Sequence, residues 1–330
     1  MSETPLDTTL PAQPPLPAFD VQLTPPDLAP WRGGDHGVPG FITRGAAQPG
    51  PHVVLVALIH GNEIAGAIVL DRLLRAGFWP RRGQITFGFA NLAAFDRFDA
   101  AQPTASRFLD EDMNRLWDPA VLDGARRSAE LDRARAIRPV IESADILLDL
   151  HSMLWPSEAL MLCGGTPKGR ALAHAIGVPE LVIADHGHVS GRRLLDFGRF
   201  ANAAAMPAAV LVEAGQHWEH ATVDVTLAAV AGLVRHLDMA REHPALPPPP
   251  ADPPATRFAE VTQVVTAATS GFAFTRPFRG GEVVRERGTL IAIDGGTEIR
   301  TPHDNCLLVM PSLRPSRGHT AVRLARILAA

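Results

Sequence analysis

Up to residue 243, short and almost wholly apolar runs alternate with longer amphipathic stretches. A short edge strand is expected at residues 38–43. Apolar runs bounded by turn-forming residues are typical of buried strands. The pattern predicts such strands at residues 53–59, 85–90, 146–151, 181–184 and 208–212. Because these runs are apolar throughout rather than alternating, they indicate a sheet that is covered on both faces.

Amphipathic stretches between these runs predict helices at residues 63–76, 119–143 and 222–241. In the first helix apolar residues recur every three or four positions, and Gly77 supplies a stop. The segment 96–118 has too many charged and turn-forming residues for a regular element, and such segments are often binding loops. We therefore predict an α/β fold with a mixed, mostly parallel sheet flanked by helices.

The composition changes at residues 244–254, where seven of the eleven residues are proline. Neither a helix nor an inner strand persists in such a segment. Beyond it, short alternating strands between glycine turns predict a small C-terminal all-β domain. The predicted organisation is a flexible N-terminal arm at residues 1–30, a main domain at 31–243, a proline-rich linker at 244–255 and the small β domain at 256–330.

The charge balance limits the classes of partner. A net charge of -4 and a pI near 6.3 give no basic surface for nucleic acid or for an anionic membrane. No apolar run approaches the length of a membrane span, and the proline-rich N-terminus lacks the pattern of a signal peptide. We expect a globular cytoplasmic protein that acts on a small molecule, and homo-oligomer formation stays open.

The residue types disfavour several kinds of chemistry. Lys168 is the only lysine and follows Thr166-Pro167 rather than a glycine-rich loop, which disfavours a phosphate-binding loop and a Schiff base. Tyrosine is absent from the sequence, so no phenolic acid comes from this chain. Cys163 and Cys306 lie far apart without a Cys-x-x-Cys spacing, and we expect both to be buried thiols.

Candidate metal ligands stand at the ends of two predicted strands. His60-Gly61-Asn62-Glu63 joins the strand 53–59 to the next helix, and we expect its glycine to permit a sharp bend that brings His60 and Glu63 to one divalent ion. Alone, this short motif is also compatible with a polar loop. His151 ends another strand of the same sheet, where carboxyl ends gather ligands. The three residues predict one zinc ion per chain, with cobalt and manganese as open alternatives.

A hydrolytic zinc site also requires a base and a cation near the developing oxyanion. Glu213 ends a buried strand and is our candidate base, with a salt bridge to an arginine as the alternative. In the irregular loop, Arg107 is the candidate that stabilises the oxyanion. Asn114 and Arg115 are the candidates that bind a substrate carboxylate. A solvated charged loop is the alternative there. Asp149, two residues before His151, either orients the site or caps the strand.

Four motifs in this order resemble those of the succinylglutamate desuccinylase/aspartoacylase family, whose members are relatives of zinc carboxypeptidases. They are His60-Gly61-Asn62-Glu63, Arg107 with Asp112-Met113-Asn114-Arg115, Asp149-Leu150-His151-Ser152, and Val212-Glu213-Ala214-Gly215. By this resemblance, the zinc ligands are His60, Glu63 and His151, the general base is Glu213, the oxyanion arginine is Arg107, and the carboxylate clamp is Asn114 with Arg115.

The resemblance implies a zinc-dependent amidohydrolase with a carboxypeptidase-like fold, in which residues 31–243 form the catalytic domain. Its expected reaction is cleavage of the amide bond of a small N-acyl amino acid or a related compound. A metallocarboxypeptidase that acts on short peptides and a non-catalytic metal- or ligand-binding protein are the alternatives.

This chain departs from the family pattern at several positions. Met113 replaces a leucine, and tyrosine is absent. Ala203 stands where aspartoacylases have a second substrate-binding arginine, although Arg192, Arg193 and Arg199 are near it in the sequence. N-acetylaspartate is therefore not the expected substrate. Whether His303 of the small β domain reaches the site is left open.

Overall fold

The apolar runs form strands, and most of these strands join one large sheet. The computed structural model describes residues 18–35, 37–187, 190–240 and 242–328. The strands are β1 (Phe41–Gly45), β2 (His52–Ala57), β3 (Gln84–Phe89), β4 (Ile146–Met153), β5 (Leu160–Leu162), β6 (Leu181–Ala184), β7 (Ala208–Gln216), β8 (Arg257–Thr266), β9 (Ala273–Phe274), β10 (Val283–Val284), β11 (Leu290–Asp294), β12 (Thr297–Arg300), β13 (Cys306–Val309) and β14 (Thr320–Ile327).

Helices connect the strands of the main domain. They are α1 (Ile64–Arg75), α2 (Leu92–Phe95), α3 (Pro119–Leu122), α4 (Ala129–Ser143), α5 (Pro167–Ile176) and α6 (His220–His236). Among the residues that the structure describes, no helix has the length and hydrophobicity needed to cross a bilayer.

The large sheet has the order β1-β3-β2-β4-β7-β5-β6-β8-β14-β13-β10. The four strands β3, β2, β4 and β7 run parallel to one another, so their carboxyl ends meet at one edge. β5 is antiparallel to β7, whereas β6 and β8 continue parallel to β5. The fold is thus a mixed α/β structure with a largely parallel sheet, as predicted.

Both faces of the sheet are covered, which explains the unbroken hydrophobicity of its central strands. On β2, Val53 and Leu55 pack in one apolar cluster, which includes residues of α1, α5 and α6. Their neighbours Val54 and Val56 pack in a second cluster, to which α4 contributes. Successive side chains of a strand point to opposite faces, so every position of a doubly covered strand is buried.

Several predicted boundaries differ from the structure. The predicted helix 119–143 is two helices, α3 and α4, because the chain breaks after Leu122 and Ser128 starts α4 by accepting a hydrogen bond from the backbone N–H of Leu131. The helix predicted at 222–241 is α6, which ends at His236, and residue 241 lies outside the described residues. The prediction overlooked β5 and α5, which are short elements of three and ten residues.

Residues 18–30 of the predicted flexible arm pack against the main domain, whereas residues 1–17 lie outside the described residues. Leu23 and Leu28 are buried in the first apolar cluster, and the backbone N–H of Gln22 donates to the carbonyl of Trp218. These residues of the segment therefore contact the main domain, while the arm as a separate part of the chain stays a prediction. The high proline content of this segment indicated a flexible arm, although the segment also contains a few apolar residues.

The C-terminal strands are antiparallel to one another but extend the same sheet, because β8 pairs in parallel with β6 across the proline-rich segment. β9, β11 and β12 form a separate small sheet. A third apolar cluster fills the space between the two sheets. The continuous sheet fixes the C-terminal strands against the main domain. The division of the chain into four parts stays a prediction. Cys163 and Cys306 are both buried and free, as expected.

Candidate functional site

The turn after β2 places His60 and Glu63 at the carboxyl edge of the sheet. β2 ends at Ala57, and Leu58 takes a left-handed conformation with φ of 62° that redirects the chain. Gly61 is required for close packing, since a Cβ there would lie 2.5 Å from backbone atoms of Ala94 and Phe95. The expected turn is present, since the N–H of Glu63 donates to the carbonyl of His60, but the φ of Gly61 is not in the left-handed range. Close packing, rather than an unusual backbone conformation, therefore requires the glycine.

The three predicted metal ligands converge. Nδ1 of His60 lies 2.6 Å from Oε1 of Glu63, and Nδ1 of His151 lies 3.1 Å from Oε2 of the same carboxylate. One donor atom from each residue lies within 4.8 Å of the others, and all three residues are buried. Burial raises the pKa of Glu63, but the charges of the two histidines outweigh it, and the pKa lies well below its usual value.

Each histidine has a carboxylate at its other ring nitrogen. Nε2 of His60 lies 2.9 Å from Oδ1 of Asp112, and Nε2 of His151 lies 3.0 Å from Oδ2 of Asp149. Burial lowers the pKa of His151, yet Asp149 and Glu63 outweigh it and hold the pKa well above the usual value. Carboxylates in this position orient metal-ligating imidazoles and increase their basicity. Two interpretations of Asp149 were open. Its location beside Nε2 of His151 is that of a group that orients this ring.

The donor set fits a zinc ion. Both Nδ1 atoms and both carboxylate oxygens of Glu63 face a common point, while the outer nitrogens of His60 and His151 face carboxylates. Two imidazoles and one carboxylate form a usual set for a catalytic zinc with an open position. The buried cluster can therefore hold a metal ion, and its donor types favour zinc over magnesium or calcium.

Glu213 lies beside this cluster on the neighbouring strand. It is the register partner of His151 between β4 and β7, and it is buried. Its Oε2 has no hydrogen-bond partner among the described residues. Burial is the main reason that the pKa of Glu213 is raised to about 8, with His151 opposing the shift. The salt-bridge alternative has no support, since Glu213 forms no ion pair within the described part of the chain.

Arg107 lies against the metal-ligand cluster. Its Nη1 donates to Oε1 of Glu63 over 3.2 Å, and its Nη2 lies 3.4 Å from Oδ2 of Asp112. The carbonyl of Arg107 accepts a hydrogen bond from the N–H of Gly61, which fixes the irregular loop to the turn that carries His60 and Glu63. Burial disfavours the charge of Arg107, but Asp112 and Glu63 outweigh it and raise its pKa.

The orientation of Asn114 is fixed by a backbone group. Its Oδ1 accepts a hydrogen bond from the N–H of Leu194 over 2.8 Å, so its amide NH₂ remains for the cavity. Arg115 donates to the carbonyl of Asn114, and its Nη2 lies 3.8 Å from Oδ2 of Asp112. Burial lowers the pKa of Arg115 to about 10. Together the two side chains present nitrogen donors to the cavity.

A cavity of about 660 Å³ is lined by all seven residues proposed from the sequence. The C-terminal segment supplies part of its wall, including Met310, His319 and Arg323. His303 does not line this cavity, because its ring nitrogens lie near Thr262 and the carbonyl of Asp304. The C-terminal segment thus contributes to the site through residues other than the one considered.

The arginines near Ala203 have different locations. Arg193 lines the cavity, whereas Arg192 pairs with Asp118 and Arg199 donates to a backbone carbonyl. Sequence reasoning did not assign a role to Arg193. It also overlooked Arg323, although a charged residue inside an otherwise apolar strand signals a buried partner or a site.

Ser152 and His217 are further cavity residues that sequence reasoning overlooked. The N–H of Ser152 donates to Oε2 of Glu63 over 3.0 Å, and its Oγ lies 2.8 Å from Nδ1 of His217. Burial lowers the pKa of His217 to about 3, which keeps this ring neutral. Ser152 therefore supports one oxygen of the Glu63 carboxylate, and His217 holds Ser152.

The chain is similar to several known proteins. Residues 49–237, more than half of the chain, match the model of the succinylglutamate desuccinylase/aspartoacylase catalytic domain. A curated relative, the succinylglutamate desuccinylase of Pseudomonas aeruginosa, is 34% identical over 118 residues, which cover 33% of this chain and 33% of that protein. The match thus spans about a third of the length of this relative.

Two solved structures have a similar fold. The succinylglutamate desuccinylase of Vibrio cholerae has a TM-score of 0.66 at 18% identity and covers 89% of each chain. The corresponding protein of Vibrio parahaemolyticus has a TM-score of 0.64 at 17% identity and covers 88% of this chain and 87% of its own. Because residues 49–237 match the family model and the fold is similar to these structures, the chain belongs to the succinylglutamate desuccinylase/aspartoacylase family.

Proposed function

We propose that this protein is a zinc-dependent hydrolase that cleaves the amide bond of a small N-acyl amino acid. The observation that carries the proposal is the convergence of His60, Glu63 and His151 beside a buried Glu213 that has an unpartnered oxygen among the described residues. Such a carboxyl group in a cleft is a candidate general base, because its environment shifts its pKa toward neutrality. When bound, zinc supplies Lewis-acid activation of water and of the amide carbonyl.

The side chains have distinct roles in this proposal. Glu213 accepts a proton from the attacking water at Oε2 and returns it to the leaving amine. Arg107 stabilises the negative charge that develops on the carbonyl oxygen. Asn114 and Arg115 hold the carboxylate of the amino acid, since both present N–H donors to the cavity.

The size of the cavity supports a small substrate. Cavities of about 300–1,000 Å³ are typical of small-molecule sites, and this one measures about 660 Å³. We further propose one zinc ion per chain and a cytoplasmic location for the enzyme.

Replacement of Glu213 by glutamine tests the proposed base. Glu213→Gln keeps the shape of the side chain but removes the proton acceptor, so kcat for an N-acyl amino acid should fall about 10²–10⁴-fold. Zinc content, measured by elemental analysis, should stay at the wild-type level. The matched control is Glu219→Gln, because Glu219 is exposed and outside the cavity. Retained turnover in Glu213→Gln would contradict the assignment, and a joint loss of zinc would make Glu213 a ligand instead.

A substrate series separates this function from its alternatives. N-acyl amino acids should be hydrolysed with a higher kcat/KM than peptides of two to four residues that end in the same amino acid. The opposite order would favour a carboxypeptidase. A zinc-loaded protein that hydrolyses neither class would favour a non-catalytic binding protein.

A further inference from the structure

Glu130 is a buried carboxylate that lies outside the cavity, near the start of α4. Its exposed fraction is 0%. Its Oε1 accepts hydrogen bonds from the N–H of Leu109 over 2.6 Å and from Nδ2 of Asn91 over 3.0 Å. Its Oε2 accepts from the N–H groups of Asp110 over 3.0 Å and of Glu111 over 3.2 Å. A carboxylate has acceptor sites for about four donors, so these four hydrogen bonds use it fully.

Three of these donors belong to the backbone of the irregular loop. Residues 109–111 form no helix or strand, so Glu130 supplies the acceptors that secondary structure supplies elsewhere. In the sequence they lie between Arg107, the candidate that stabilises the oxyanion, and Asp112, which lies 2.9 Å from Nε2 of His60. Both of these side chains line the cavity. The conformation of residues 109–111 therefore determines where Arg107 and Asp112 lie relative to the metal-ligand cluster.

The loop and α4 hold each other from both sides. Oδ2 of Asp110 accepts a hydrogen bond from the N–H of Ala129 over 2.7 Å, at the start of the helix. Oγ of Ser128 donates to Oε1 of Glu111. Carboxylates are favoured at a helix N-terminus, where backbone N–H groups lack partners within the helix. The helix is itself fixed, since its apolar face is buried in the second apolar cluster.

Asn91 joins Glu130 to the sheet as well. It follows β3, and its Oδ1 accepts from the N–H of Ala94 in α2, so its amide group has a fixed orientation. The helix α2 in turn lies against the turn after β2, where a Cβ at Gly61 would lie 2.5 Å from a backbone atom of Ala94. Glu130 therefore connects the loop to the same part of the sheet that carries the metal ligands.

We propose that Glu130 is a positioning residue for the hydrolysis: its carboxylate holds residues 109–111 so that Arg107 reaches the carbonyl oxygen of the substrate and Asp112 faces His60. This inference rests on the proposed function and adds to it a residue that acts through the loop. A glutamine does not replace this carboxylate, because its NH₂ group turns hydrogens toward two of the N–H donors. Two buried donors then lack an acceptor, and the loop has to move.

Glu130→Gln tests this role in the zinc-loaded protein, at a temperature well below the Tm of the variant. For the N-acyl amino acid that the wild type hydrolyses best, kcat/KM should fall about a hundredfold, since a displacement of ~1 Å at the reacting groups has an effect of this size. Zinc affinity should fall less, by about tenfold, because Asp112 orients a ligand but is not one.

Two further variants frame this result. Glu130→Asp should recover part of the activity, because it keeps both acceptor oxygens on a shorter side chain. The matched control is Glu142→Gln, which changes an exposed glutamate of the same helix and should leave kcat/KM and zinc affinity unchanged.

A double-mutant cycle shows whether Glu130 acts through Arg107. In an Arg107→Met background, the loss caused by Glu130→Gln should shrink from about a hundredfold to about threefold or less, since the loop no longer presents the arginine. Equal losses in both backgrounds would overturn this route. A Glu130→Gln variant that unfolds at a lower temperature but keeps the wild-type kcat/KM would show that the residue serves the stability of the fold alone, and would likewise overturn the inference.

Hydrogen exchange separates this inference from the proposed function. In the zinc-loaded protein, Glu130→Gln should speed exchange at the N–H groups of residues 109–111 at least about tenfold and leave β2 and β4 unchanged. Unchanged exchange at the loop, or an equal increase in the sheet, would overturn the inference even where hydrolysis stands. If the wild type hydrolyses no N-acyl amino acid, the proposed function fails, and exchange at residues 109–111 still decides whether Glu130 holds the loop.

Discussion

Two walls of the same cavity are built in different ways. The metal-binding wall consists of His60, Glu63 and His151, which follow or end neighbouring parallel strands. The arginine wall consists of Arg193 and Arg323, which both pair with Asp185. Asp185 and Arg323 are 138 residues apart in the sequence. The first wall has buried donor groups that face a common point. The second wall is a set of ion pairs in which Arg323 is held through Nε only.

The two walls differ in how far their stability depends on a ligand. Beside the metal-binding wall, Oε2 of Glu213 has no hydrogen-bond partner among the described residues, and the buried donor groups of His60, Glu63 and His151 converge. Such groups are stabilised by a bound cation. In the arginine wall, protein carboxylates supply most of the compensation. Zinc should therefore stabilise the protein through the first wall only.

The largest expected effect is that of His151→Ala on zinc binding. Changes in groups that only orient a ligand cost about 10–100-fold in metal affinity, and removal of a ligand should cost at least about a thousandfold. Competition with a chromophoric chelator measures the affinity, and hydrolysis should be lost in parallel. Zinc should also no longer raise Tm.

His220→Ala is the control for this change, since His220 is exposed and outside the cavity. An unchanged zinc affinity in His151→Ala would remove the basis for the metal-binding wall.

Asp185→Asn should give the next largest effect, on folding stability. It leaves Arg323 without its carboxylate partner, while Arg193 keeps Asp196. Loss of one partner of a buried ion pair costs about 3–5 kcal/mol, and the remaining partner places the expected loss near the lower end. Urea unfolding measures this loss with and without zinc.

The loss of stability in Asp185→Asn should be the same in the zinc-loaded and the chelated protein. A loss that appears only with zinc would show that the two walls are coupled, and the distinction between them would fail.

The metal-binding wall could be predicted from the sequence because each of its residues stands beside an apolar run. Parallel strands bring their carboxyl ends to one edge, so the order of apolar runs was enough to place His60 and His151 together. The proposed clamp of Asn114 and Arg115 was predicted from the charged and amide residues that cluster in the irregular loop, together with the family resemblance. In each case a local pattern was enough to locate the residue.

The arginine wall could not be predicted in the same way. Arg323 reaches the cavity only because β8 pairs with β6 and β14 pairs with β8. No local pattern encodes that pairing, and the proline-rich segment suggested a separate domain. The break between α3 and α4 was overlooked for a related reason, since helical periodicity on both sides concealed the new start at Ser128.

Gly61→Ala should have the smallest effect of the three changes and tests how tightly the metal-binding wall is packed. A Cβ at this position would lie 2.6 Å from the carbonyl oxygen of Ser106, in addition to its contacts with α2. The backbone, rather than a flexible side chain, must then move. Overpacking of this kind costs about 1–3 kcal/mol, which thermal or urea unfolding measures.

The same displacement should also alter the chemistry, because the N–H of Gly61 donates to the carbonyl of Arg107. We therefore expect a fall in kcat in Gly61→Ala that exceeds any change in zinc affinity. Gly33→Ala is the control, since a Cβ at Gly33 meets no atom within 4 Å. If Gly61→Ala lowered stability but left kcat unchanged, the position of Arg107 would not depend on this turn, and the loop and the metal-binding wall would have to be treated as independent parts of the site.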